Sequence, residues 1–182
     1  MRTTRVFWAL FVAVLCAAAA PFSAQKPASV SSGPVPPAII QAKSVFVSNS
    51  GSDRDLFPGI YSEGRELPYL FNGDEGRPYS EFYSALSATG DYKLLSDPAP
   101  ADLVLELQLR AHPAPVNGAP GPLAEFRLIV YGSQTHFVLW TITQAVEPAI
   151  LQKNREKNFE IALNAVLNEF LTIAGKSPSP AP

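Results

Sequence analysis

Ala101 to Arg110 reads ADLVLELQLR. Leu103, Leu105, Leu107 and Leu109 fall on one side of an extended chain, and Val104, Glu106, Gln108 and Arg110 on the other. A period of two with one apolar and one mostly polar side is the signature of a strand that covers a core with one face only. With one face of each strand polar, the helices are expected to pack on one side of the sheet only.

The neighbouring segments extend this pattern. Leu123 to Tyr131 is a second alternating strand, with Ala124, Phe126, Leu128 and Val130 inward and Glu125 and Arg127 outward. Gly132 to Thr135 suits a hairpin loop, and His136 to Val146 is rich in Val, Ile, Thr, Phe and Trp, so the three strands form an antiparallel meander. His112 to Pro122 reads as a Pro/Gly loop with a turn at Asn117-Gly118. Upstream, Lys43 to Ser48 and Tyr92 to Ser96 are shorter strand candidates. Between them Tyr79, Phe82, Tyr83 and Leu86 recur at helical spacing, which predicts a helix from Pro78 to Thr89 with Gly90 just past its end. A final helix starts near Pro148, carries the stripe Phe159, Ala162, Leu163, Val166, Leu167 and Phe170, and stops at Gly175. The expectation is a two-layer α+β domain: about five strands, mostly antiparallel, in the order β-α-β-β-β-β, with two helices on one face.

The chain has 182 residues, 47% of them hydrophobic, 16% charged and 18 of them proline. Arg2 and Arg5 precede fifteen apolar residues, Val6 to Ala20, the layout of a signal peptide cleaved after Ala24. That run is shorter than the ~20 residues of a membrane span. Cys16 does not follow a small residue, so lipid anchoring there is not expected. Removing 24 of the 182 residues leaves 158 without cysteine, and losing Arg2 and Arg5 takes the formal net charge from −2 to −4. Such a body offers neither disulfides, a thiolate nor a cysteine metal site, and it lacks the basic surface that nucleic acid demands. Residues 25–42 are rich in Pro and Ser and read as a linker, 43–175 as the domain, and 176–182 as a Pro-rich tail.

Candidate chemistry is sparse. His112 and His136 lie near no nucleophile motif, and no phosphate loop, dinucleotide fingerprint or zinc pattern is present, so no cofactor or metal is expected. Asp53, Asp55, Asp74 and Glu75 lie in the Gly-rich stretch Asn49 to Arg77 and could serve a hydrolase if the fold paired them. Tyr61, Tyr69, Phe71, Tyr79 and Tyr83 cluster in and after that stretch; tyrosine favours interfaces, which makes these five the candidate partner-binding set.

The segments SVFVSN, YSEFYSALSATGDYKLLSDPAPADLVLEL, LAEFRLIVYG and THFVLWTITQAVEPA, with the closing helix, resemble exported bacterial envelope proteins of unassigned function. They are distantly similar to periplasmic lipoprotein domains and to auxiliary components of secretion or transport systems. Asp97, Ala101, Asp102, Leu103, Trp140 and Thr141 carry the match. The resemblance implies a periplasmic or secreted, non-enzymatic binding or accessory domain, with an envelope protein or envelope component as partner. A small secreted hydrolase and a purely structural domain are the alternatives.

Overall fold

The computed structural model describes residues 33–49, 76–116 and 119–178. Its elements, in chain order, are α1 (Pro37–Gln41), β1 (Ser44–Ser48), α2 (Arg77–Thr89), β2 (Lys93–Leu95), β3 (Leu103–Val116), β4 (Ala119–Gly132), β5 (Val138–Val146) and α3 (Gln152–Ile173). The five strands form one open sheet in the order β2-β1-β3-β4-β5. This is an α+β domain.

Most of the paired length is antiparallel: β3 with β4 and β4 with β5 make the expected meander. At the other side β1 runs parallel to both β2 and β3. Two parallel partners for β1 require the chain to leave β2 and re-enter at the same end as β3. Three residues of β2 rise only about 10 Å, so the short link 96–102 can turn back. Asp97 Oδ1 accepts from Ala99 N at 3.0 Å and Pro98 O from Ala101 N at 3.2 Å, which folds the link into a turn.

The core follows the period of two. Val45, Val47, Leu103, Leu105, Phe126, Leu128, Val130 and Ile142 are buried with Phe82 and Leu86 of α2 and the Phe159, Leu163, Val166 and Phe170 stripe of α3. Phe126 meets Phe159 edge to face at 5.1 Å between ring centroids. Arg77, in the first turn of α2, bonds Glu81 Oε1 and Glu156 Oε2 at 2.6 Å each and lies 4.8 Å over the Phe159 ring, so one guanidinium ties α2 to α3. Gly90 closes α2 at φ 70°, a left-handed position where a side chain is strained.

Several sequence boundaries move. The stretch read as the end of a linker holds α1, and Ile39 is fully buried in the core with Ala42 beside it. Pro37 is compatible with this because a helix start needs no N–H there. The stretch read as a Pro/Gly loop from His112 to Pro122 is instead the far end of a hairpin whose arms run to Val116 and resume at Ala119. Pro113 pairs with Pro122 and Pro115 with Pro120, so the positions without an N–H coincide on the same rungs and the extended backbone continues past them. The Asn117-Gly118 turn lies outside the described residues. Finally, β5 starts at Val138 and α3 at Gln152, both later than their prolines and turn residues suggest.

Candidate interaction surface

Strand pairing lines up the residues that point away from the core. One rung crosses all five strands: Leu95 opposite Phe46, Phe46 opposite Val104, Val104 opposite Tyr131, and Tyr131 opposite Val138. All five are apolar or aromatic; the first four are half-buried and Val138 is exposed. Their counterparts on alternate positions are the buried core residues, so this rung lies on the sheet face that the α2 and α3 core stripes do not fill.

Further along the same face the rungs turn polar. Glu106 lies opposite Ile129, Gln108 opposite Arg127, and Arg110 opposite Glu125. Glu106 is the centre of a small network, accepting from the Tyr131 hydroxyl at 3.0 Å and from Gln108 Nε2 at 2.6 Å. Partial burial, then the bond to Glu106, raises the Tyr131 hydroxyl pKa above its usual value. The face therefore sets an apolar end next to fixed hydrogen-bonding groups.

Asp102 has a different role. Its Oδ2 accepts from Lys43 N, Ser44 N and Ser44 Oγ, each at 2.9 Å, while its own N–H donates to Ser44 O at 3.1 Å. The backbone N–H of Lys43 and then the Ser44 hydroxyl and N–H hold its carboxyl below the usual carboxylate range. The side chain clasps the start of β1 to the start of β3.

Of the five aromatic candidates, Tyr79 and Tyr83 lie on α2, half-buried against the core, with ring centroids 5.9 Å apart. Tyr61, Tyr69 and Phe71 lie outside the described residues, as do Asp53, Asp55, Asp74 and Glu75. His136 is exposed in the β4–β5 turn at φ 56°, and Trp140 is buried in the sheet. No cluster of His, Cys, Asp and Glu that could hold a metal ion occurs among the described residues. No helix among them is long and apolar enough to cross a membrane. The apolar rung was missed in the sequence because each of five separate strands contributes one residue to it and the strand registers decide it.

No protein-family model matches the sequence, and no curated protein matches it. Solved structures are similar at low identity. Protein XCC0632 from Xanthomonas campestris, of family DUF330, is 16% identical with a TM-score of 0.49, covering 73% of this chain and 85% of that one. The PelC dodecamer from Paraburkholderia phytofirmans is 16% identical at 0.44, covering 81% and 96%. TolB from Acinetobacter baumannii is 14% identical at 0.34, covering 74% of this chain but 29% of its own. None of these likenesses assigns this chain to a family.

Proposed function

We propose that the protein is an exported, non-enzymatic binding or accessory domain of the bacterial cell envelope, which docks a partner protein on the sheet face turned away from α2 and α3. The observation that carries this reading is the apolar rung Leu95, Phe46, Val104, Tyr131 and Val138, set beside the Glu106 network. Apolar side chains that face away from a core lower solubility and folding specificity unless something covers them, and a rung flanked by satisfied polar groups suits a partner that arrives as a folded surface. The leader at residues 1–24 supports export, and the hydrogen-bonded roles of Asp102, Arg77 and Glu106 support structure over catalysis.

The test is site-specific photo-crosslinking in living cells. A photoreactive residue at Val104 or Phe46 should yield a defined heavier adduct, while the same residue at Glu160, exposed on α3, should not. Equal adduct patterns from both faces, or none from either, would refute the reading.

A further inference from the structure

The turn between β4 and β5 is fastened at several points. Ser133 Oγ is hydrogen-bonded to Ala101 O and lies 3.2 Å from Asp102 O, and Ser133 N donates to Asp102 O at 3.4 Å, so the turn is tied to the start of β3. Its two ends close on each other, with Gly132 N donating to Phe137 O at 3.0 Å and His136 N to Gly132 O at 2.8 Å. A Cβ on Gly132 would meet Thr135 Oγ1 at 2.8 Å, and that same oxygen accepts from Phe137 N at 3.4 Å. Glycine therefore makes room for the threonine that holds Phe137. His136 completes the turn at φ 56°, a left-handed backbone uncommon in a residue with a side chain. Surroundings that hold a residue in such a region are found more often at functional segments than in plain connections.

What this turn holds in water is Phe137. The residue is 74% exposed, and the next one is Val138, 55% exposed, where the apolar rung ends beside Tyr131. A single exposed apolar side chain is ordinary. This one differs because its backbone is bonded on both sides and because it adjoins the apolar rung. Ile150 is more exposed, at 95%, yet it lies beyond the other end of β5 and adjoins no such rung.

We infer that Phe137 is the anchor of the docking face, a ring that enters an apolar pocket of the partner protein while the rung from Leu95 to Val138 packs beside the pocket mouth. This rests on the docking reading above and names the residue that carries its affinity. Binding energy at protein interfaces concentrates in a few aromatic anchors seated in pockets, and an anchor fixed before binding loses little freedom on association. The charge pattern selects a protein pocket over a lipid surface. From Leu128 to Val146 the sequence holds no Asp, Glu, Lys or Arg. Depletion of charge marks the centre of a protein interface, whereas attachment to anionic headgroups draws on nearby Lys and Arg.

The photoreactive residue at Val104 reports the docking face, and second substitutions in the same full chain report the anchor. In living cells Phe137→Ala should lower the yield of the Val104 adduct by about tenfold or more, and Phe137→Leu should restore part of it. Ile150→Ala, which removes an equally exposed apolar group away from the rung, should leave the yield unchanged. The urea midpoint of Phe137→Ala should match that of the parent chain, because the lost ring is exposed. With the photoreactive residue at position 137 itself, mass spectrometry of the digested adduct should find the link on an apolar peptide of the same partner protein. A Val104 adduct that survives Phe137→Ala overturns the anchor and leaves the docking face standing. Absence of any Val104 adduct in the parent chain overturns the docking reading and the anchor with it. Equal losses from Phe137→Ala and Ile150→Ala, or a link from position 137 to lipid, also overturn the anchor.

Discussion

Replacing Asp102 by alanine removes one side chain and releases three donors at once. Lys43 N, Ser44 N and Ser44 Oγ all point at Oδ2 from 2.9 Å. A hydrogen bond to a charged acceptor contributes roughly 1.5 to 3 kcal/mol when shielded from water. Asp102 is exposed, so water replaces much of each bond in the variant, and the three together should cost about 1 to 2 kcal/mol and not their full sum. Asp102→Asn keeps an oxygen acceptor and loses the charge, so its cost should fall near half of that.

The same clasp predicts a pH dependence whose sign follows from the lowered carboxyl pKa. A group whose folded pKa lies below its unfolded value stabilises the fold fully above the unfolded value, here about 4, and loses that contribution as pH falls through the folded one. The stability gap between the parent protein and Asp102→Ala should thus be full at pH 7, begin to narrow below about pH 4 and be smaller at pH 3. Urea unfolding followed by far-ultraviolet circular dichroism at both pH values measures it. Equal stability of parent and Asp102→Ala at pH 7, or a gap that widens on acidification, would refute the clasp.

Other outcomes follow from the core and the helix pair. Phe126→Ala empties a fully buried site against Phe159 and should lower stability by about 3 to 5 kcal/mol in the same urea assay. Tyr92 stacks on Phe170 at 5.6 Å, and its buried hydroxyl has no hydrogen-bond partner among the described residues; burial, then nearby Asp91, pushes its pKa up to about 12. Tyr92→Phe should therefore be neutral or stabilising by up to about 1 kcal/mol, and a loss of stability would reveal a partner for the hydroxyl. Glu156→Gln weakens the tie from Arg77 to α3 and should cost at most about 1 kcal/mol, less in 1 M salt than in 0.1 M, by thermal melting.

The elements that could be read from the sequence are those whose own period reports their burial. The ADLVLELQLR strand, its two antiparallel neighbours and the two long helices all show it, since each buries one face against a single core. What escaped was set by contacts between distant segments. Ile39 sits in a stretch of prolines and serines with no period, and only its burial in the core makes Pro37–Gln41 part of the body. The proline-paired rungs of the long hairpin look like loop until Pro113 is seen opposite Pro122. Parallel pairing of β1 on both sides depends on where the link after β2 turns, which no local pattern encodes. The apolar rung is illegible for the same reason: Phe46 and Tyr131 become neighbours of Val104 only through the register of three strands.

Five of the six residues that carry the resemblance to envelope proteins have structural roles. Asp97 holds the turn after β2, and Ala101 is buried with its carbonyl accepting from the Ser133 hydroxyl. Asp102 clasps β1, while its carbonyl accepts from Ser133 Oγ at 3.2 Å and so ties the start of β3 to the end of β4. Leu103 and Trp140 are core. Asp97, Ala101 and Asp102 thus shape the path from β2 past the end of β1 into β3, while Leu103 and Trp140 fill the core. The residues that carry the resemblance therefore speak to architecture, and architecture alone does not fix function.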